Sequence, residues 1–321
     1  MISNPFPRLA IPRNNRIIFD PDGNVKRILT YAERVFKEKI NGAGVIIGSY
    51  GFGKTHLLKY LEYIFSSQEG ILALYISNPC DSIVAIYKEL VVKVLKHLIE
   101  VKEYLPPMMS KALDLLANSD HYYDALQWLC GERISSRIRH KLGLVKNIDS
   151  YMAVEYMCSI FKALDKKYNG YVILIDEFET ILELNRTKRI SYLNALRRFV
   201  DSVPCKTLIL VASTPAGWDE VINTHMALAR RLSSLIIYLR NLKKEEISEF
   251  LEMYLKNYGS NLSSVHEIFD DRVIDLLHDI TNGNPGEVLK YASILVDEIL
   301  LKNECKIIKV EEAKEVLSRY I

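Results

Sequence analysis

Up to about residue 241 the chain alternates two patterns. Short runs are apolar throughout: "GVII" at Gly44–Ile47, "ILALYIS" at Ile71–Ser77, "YVILI" at Tyr171–Ile175, "TLILVAS" at Thr207–Ser213 and "SLIIYL" at Ser234–Leu239. Between them lie longer stretches in which apolar residues recur every three or four positions. Runs without polar alternation predict strands buried on both faces, and such strands separated by helices predict a parallel sheet covered on both sides. The helical stretches include "VKRILTYAERVFKEKI", closed by Asn41-Gly42, a segment from about Lys54 to Ser66, "SYMAVEYMCSIFKALDKKY", which stops at Asn169-Gly170, and "RISYLNALRRFVDSV". From Asp81 to Gly143 the pattern is helical with breaks at Pro106-Pro107, Ser119-Asp120 and Gly131. Beyond Leu242 only helical periodicity remains, in four segments.

These patterns predict an α/β chain in three parts: an N-terminal arm and helix over 1–41, a parallel-sheet core over 42–241 with a helical insert at about 104–150, and a small all-α lid over 242–321. A turn is expected at Asn78-Pro79 after the second strand. No internal repeat or low-complexity segment interrupts the scheme.

Composition narrows the picture. The 321 residues are 49% apolar and 26% charged, which suits a globular protein with room for two domains. No apolar run approaches the roughly 18 residues of a membrane span, and the opening "MISNPFPRLAIPRNNR" lacks the apolar block of a signal peptide, so a cytoplasmic protein without membrane contact is expected. The five cysteines are odd in number and far apart, with no C-x-x-C and no H-E-x-x-H, so neither a disulfide framework nor a structural zinc is expected. The net charge is only +2, and any nucleic-acid contact must come from local basic patches.

Candidate chemistry begins where the first strand ends. Gly48-Ser49-Tyr50-Gly51-Phe52-Gly53-Lys54-Thr55 matches G-x-x-x-x-G-K-[ST] in full, between an apolar strand and an amphipathic helix. Glycines there let backbone N–H groups turn in around phosphate oxygens, and the helix N-terminus adds its positive end. Residues Gly48 to His56 are therefore the expected ATP-binding segment. Lys54 is placed to reach the β and γ phosphates, and the Thr55 hydroxyl to ligate Mg²⁺. A triphosphate site also needs an acid for the metal and a group that orients water; "YVILIDEFE" offers Asp176 for the first and Glu177 for the second. "TLILVASTPAG" ends in Ser213 and Thr214, which are placed to hydrogen-bond the attacking water or the γ-phosphate.

Taken in order, these parts resemble an AAA+ ATPase: Walker A (Gly48 to Thr55), Walker B (Ile173 to Glu177), a sensor-1 strand end (Ser213, Thr214), then "ALARRLSSLIIYLRNLKKEEI". The resemblance covers nearly the whole chain, is nearest to the origin-recognition-like branch, and implies an AAA+ P-loop domain followed by a helical lid. It assigns an arginine finger, usually acting on a neighbouring subunit, to Arg230 or Arg231, with Arg231 favoured because Leu232 follows it. A homo-oligomer is thereby implied. "WLCGERISSRIRHKLGL", "YNGYVILIDEFETI" and "STPAGWDE" are also similar, in the same order, to ATP-binding proteins of BREX-type phage defence. Two departures stand out. Gly286 of Gly283-Asn284-Pro285-Gly286 occupies the place of the family's sensor-2 arginine, with Lys290 a turn further on as a possible substitute. Only about 35 residues follow Gly286, too few for the branch's winged-helix DNA-binding domain.

Two basic clusters suggest a use for the ATP. Arg133, Arg137, Arg139, Lys141, His140 and Lys146 lie in the helical insert. Arg186, Lys188, Arg189, Arg197 and Arg198 follow the Walker B strand, with Tyr192 interleaved as a stacking candidate. In AAA+ assemblies the latter segment faces the channel, so both clusters are candidates for phosphate contacts along DNA. The expectation is a Mg²⁺-dependent ATPase acting as a DNA-associated assembly factor in replication, transposition or mobile-element defence. The alternatives are a signalling switch that closes on a partner protein and, ranked last, a helicase-like motor.

Overall fold

The computed structural model describes residues 4–7, 16–77, 82–117, 119–258, 264–300 and 307–320. The turn expected at Asn78-Pro79 lies outside them, as do residues 1–3 and 8–15 of the N-terminal arm. The described residues divide into two compact units. One holds 25–47 and 61–237; the other holds the described parts of 1–24, 48–60 and 238–321.

The first unit is built on a parallel sheet. Strands β1 (Gly42–Ile47), β2 (Ile71–Ile76), β3 (Gly170–Ile175), β4 (Thr207–Ser213) and β5 (Ile236–Tyr238) stand in the order β2-β3-β4-β1-β5. The pairs β1–β4, β2–β3 and β3–β4 are parallel. Every residue of β1, β3 and β4 is buried, which is why none of these runs alternates polar with apolar. Register places Ile47 opposite Ser213 and Ile175 opposite Val211. The last residues of β1, β3 and β4 therefore share the carboxyl edge of the sheet, where open α/β sheets bind ligands.

Helices α1 (Asn24–Lys37), α3 (Ile83–Glu100), α7 (Ser150–Leu164), α8 (Arg186–Ser202), α9 (Pro215–Thr224) and α10 (Met226–Leu232) accompany the sheet, and α2 (Lys54–Ser66) follows β1. The segment between α3 and α7 forms α4 (Pro107–Leu116), α5 (Tyr122–Leu129) and the short α6 (Ser136–Leu142). Its anchor is Trp128, fully buried, with Nε1 donating to Lys146 O at 2.8 Å. The caps follow the chain's polar punctuation. Asp149 accepts from Met152 N, and Asn185 accepts from Lys188 N. The prolines at 106–107 start α4 rather than merely breaking a helix.

In the second unit α11 (Glu246–Tyr258), α12 (Asp271–Thr281), α13 (Pro285–Leu295) and α14 (Val310–Leu317) enclose a core that includes Leu251, Phe269, Leu277, Val288 and Ala292. Phe6 joins this core, fully buried and stacked on Phe269, while Asn4 Nδ2 donates to Ser293 O and Asp297 Oδ1. Arg240 ties the chain together here, donating to Asp22 Oδ1 and to both carboxylate oxygens of Glu246 at 2.8 Å. Those bonds outweigh desolvation and hold the Glu246 carboxyl down at about 2, against an ordinary value of 4.5. A depressed carboxyl contributes stability that is full above its unfolded value and is lost as pH falls towards the folded one. The melting-temperature gap between the wild type and Glu246→Gln is therefore expected to be constant from pH 7 to about 5 and to close between pH 4.5 and 2. Thermal melts across that range check it; a gap unchanged at pH 3 would refute the ion pair's role.

Candidate nucleotide site

The phosphate-loop residues belong to the second unit. Gly48 is buried, Ser49, Tyr50 and Gly51 are exposed, and Thr55 and His56 are half-buried at the start of α2. Lys54 is only 7% exposed, and its ammonium donates to Gly48 O at 2.8 Å and Ser49 O at 3.3 Å. Its Nζ also stands 5.3 Å from the centre of the Tyr50 ring. Gly51 and Gly53 both have positive φ, and a Cβ added at Gly53 would meet nothing within 4 Å, so one side of the loop is open. The first turn of α2 closes on the loop through Leu57 N to Gly53 O.

Asp176, Glu177, Ser213 and Thr214 belong to the sheet unit. Asp176 follows β3 directly and is 1% exposed. One carboxylate oxygen accepts the Glu177 N–H at 2.9 Å, and the other accepts the Tyr75 hydroxyl at 2.8 Å. Burial, then the Asp176 charge, pushes the Tyr75 phenol far above its ordinary value, so Tyr75 remains a donor at any physiological pH. Glu177 is exposed and sits in the left-handed region at φ 50, just before the 3₁₀ turn Phe178–Glu183. A non-glycine residue held there stores backbone strain, which is characteristic of functional positions. Ser213 ends β4 fully buried, and its hydroxyl has no hydrogen-bond partner among the described residues. Thr214 caps α9 by accepting from Gly217 N. A Cβ at Gly217 would lie 2.5 Å from Ser213 Oγ and 2.9 Å from Glu179 Cα, so only glycine lets these three approach.

Each unit carries groups suited to a magnesium nucleotide. In the one, a buried lysine beside an open glycine turn offers charge and N–H groups to an anion. In the other, a buried carboxylate follows β3 and a buried serine hydroxyl without a partner among the described residues ends β4, and the latter is a polar group that a ligand could satisfy.

The expected arginines and basic clusters separate on inspection. Arg231, the favoured finger, is engaged within the chain: it pairs bidentately with Asp201 and donates to Ala227 O. Arg230 is exposed and makes no hydrogen bond or ion pair with any described residue. Arg189 donates to Ile181 O, Leu182 O and Leu184 O and pairs with Glu220, so it closes the turn after Walker B. Arg197 shares Asp201 with Arg231, and Arg198 lies 5.1 Å from the centre of the Tyr151 ring. Tyr192 is 2% exposed, packed against Phe178, and has no face free for a base. Arg139 is half-buried, whereas Arg133, Arg137, Lys141, Arg186 and Lys188 are exposed and without an ion pair among the described residues. Lys290 is exposed over the Tyr291 ring.

Sequence reasoning missed Tyr75, Glu179, Asp201 and Asn284. The first three act through contacts made by chain folding, and no local pattern marks them. Asn284 does carry a signal, since Asn-Pro-Gly at a helix start is a cap.

A parallel sheet in this order, a complete phosphate loop after its first strand and acids after its third define an AAA+ P-loop nucleotide-binding fold. Residues 81–296 match the family described as BREX system ATP-binding protein BrxC/D, and the chain belongs to that family. Three solved structures share the fold. The Aeropyrum pernix ORC2 protein in ADPNP–ADP complexes aligns over 97% of this chain and 71% of its own, with 14% identity and a TM-score of 0.62. The Aeropyrum pernix ORC1 protein in complex with DNA aligns over 97% and 68%, with 11% identity and a TM-score of 0.59. The Walker-type ATPase PABY2304 of Pyrococcus abyssi aligns over 94% and 72%, with 14% identity and a TM-score of 0.53. No curated protein sequence matches the chain. Among the described residues no helix is long and apolar enough to cross a membrane.

Proposed function

We propose that this protein is a cytoplasmic Mg²⁺-dependent ATPase that assembles on DNA under nucleotide control, in replication, transposition or mobile-element defence. Gly48 to His56 bind the phosphates through backbone N–H groups, with Lys54 carrying the countercharge. Thr55 and Asp176 hold the metal. When bound, Mg²⁺ neutralises charge on the β and γ phosphates. Tyr75 fixes the Asp176 carboxylate, Glu177 orients and deprotonates the attacking water, and Ser213 donates to the water or the γ-phosphate, aided by Thr214. Arg230, exposed and uncommitted, takes the finger role towards a neighbouring copy, while Arg231 braces α10 against Asp201.

The observation that carries the DNA reading is the set of exposed cations without an ion pair among the described residues, just before and within α6 and at the start of α8: Arg133, Arg137 and Lys141, and Arg186 and Lys188. Arg139 and Arg198 lie beside them as secondary contacts. Arg189 and Arg197 serve the fold. Arg and Lys that neutralise phosphates release counterions, so five contacts predict a loss of roughly 500-fold in affinity between 50 and 200 mM salt. Fluorescence anisotropy with double-stranded DNA tests this, with ATP and without. Binding that requires ATP, weakens steeply with salt and is lost on charge removal at Arg133, Arg137 and Lys141 supports the reading. Absence of DNA binding under all these conditions would shift the function to a switch acting on a partner protein.

A further inference from the structure

Helix α13 begins on the phosphate loop. Asn284 caps it in the usual way: its Oδ1 accepts from the N–H groups of Gly286 at 3.0 Å and Glu287 at 3.3 Å. A cap needs only that oxygen. The other half of the amide, Nδ2, donates at 2.9 Å to the carbonyl of Tyr50, inside the phosphate loop. The Gly286 N–H also donates to the carbonyl of Gly51 at 3.0 Å. The fit is close on both sides. A Cβ at Gly51 would stand 2.4 Å from Asn284 Oδ1, and one at Gly286 would stand 3.1 Å from Gly51 Cα.

The two carbonyls dictate where the loop's amides point. In a trans peptide the C=O and the following N–H face opposite ways. Holding the Tyr50 carbonyl against α13 therefore turns the Gly51 N–H away from the lid. That N–H has no hydrogen-bond partner among the described residues, whereas the next one, from Phe52, is taken by Ser49 O at 3.3 Å. A free backbone N–H in a glycine loop ahead of a helix is the kind of donor that phosphate binding uses.

We propose that Asn284 is a positioning residue for nucleotide binding. Through the Tyr50 carbonyl it aims the Gly51 N–H at a phosphate, and the lid sets ATP affinity through the loop's backbone. Gly286, which has no side chain to reach a phosphate, supports the same contact with its own N–H. The proposal rests on the reading of Gly48 to His56 as the phosphate site.

The test measures equilibrium binding of a fluorescent ATP analogue to the full chain, together with the melting temperature of each protein without nucleotide. Asn284→Ser retains a capping oxygen but cannot span to Tyr50 O. It is expected to melt close to the wild type and to bind about tenfold more weakly, the effect of one lost hydrogen bond. Gly286→Ala adds helix propensity while pressing a methyl on Gly51; it is expected to melt no lower than the wild type and to lose affinity several-fold. Wild-type affinity in both variants would overturn the proposal. So would losses of affinity that merely follow losses of melting temperature, because Asn284 would then be a cap and nothing more. Lys54→Ala separates this from the underlying reading: if it binds the analogue as the wild type does, the loop is not the phosphate site.

Discussion

Glu177→Gln is expected to bind ATP within a few-fold of the wild type and to hydrolyse it roughly 100-fold or more slowly. The substitution keeps the volume and hydrogen-bonding reach of the side chain but removes its basicity. Asp176 is oriented by the Glu177 backbone N–H and by Tyr75, and the Thr180 N–H and hydroxyl close the following turn on the Glu177 backbone carbonyl. The Glu177 side chain is exposed and carried on a left-handed backbone, while the Asp176 carboxylate is buried and held by two hydrogen bonds. Phosphate-release kinetics beside equilibrium ATP binding check the separation. Normal turnover by the variant would remove Glu177 from its role; lost binding would make it structural.

Gly283→Ala is expected to cost about 3 kcal/mol or more in the lid-bearing unit. Helix α12 ends with Asn282 and Gly283 both at positive φ. Gly283 then accepts Leu242 N–H through its carbonyl at 2.8 Å and receives support at its own N–H from the Thr281 hydroxyl. A Cβ at Gly283 would stand 2.1 Å from the Leu242 carbonyl oxygen, a backbone atom that cannot rotate away. The alanine therefore meets the left-handed penalty and a clash together, and either the α12 C-terminus or the start of the lid must move. Denaturant unfolding measures the loss. The same substitution at Gly23, whose φ is also positive but whose Cβ would meet nothing within 4 Å, meets the left-handed penalty alone and is expected to cost much less.

The sheet was legible because burial on both faces leaves a plain mark. "YVILI" and "TLILVAS" show no alternation of polar with apolar positions, and both became fully buried central strands. The phosphate loop and the two strand ends were legible for a related reason, since glycines, a lysine and acids placed directly after apolar runs have few other uses. The surface was harder. Arg189 and Arg197 look like members of a basic stripe, yet the partners that neutralise them, Glu220 and Asp201, are distant in sequence or hidden in an ordinary helix turn. Arg231 was preferred over Arg230 on the residue that follows it, and only the fold reveals that Asp201 holds it. Tyr192 reads as a surface aromatic among arginines because helical spacing alone does not tell which side of α8 faces the core. The lid's departure, glycine in place of an arginine, was visible as an absence. What stands there instead, an asparagine bonded to the loop, required coordinates.

The central claim is that this chain hydrolyses ATP at the loop from Gly48 to His56. Its most direct test is steady-state phosphate release from ATP and Mg²⁺ by the purified wild type and by Lys54→Ala, side by side. Lys54 is nearly buried, with its ammonium folded on the loop's own carbonyls. The account predicts turnover by the wild type and none above background by the variant. Equal turnover by the two proteins would contradict it.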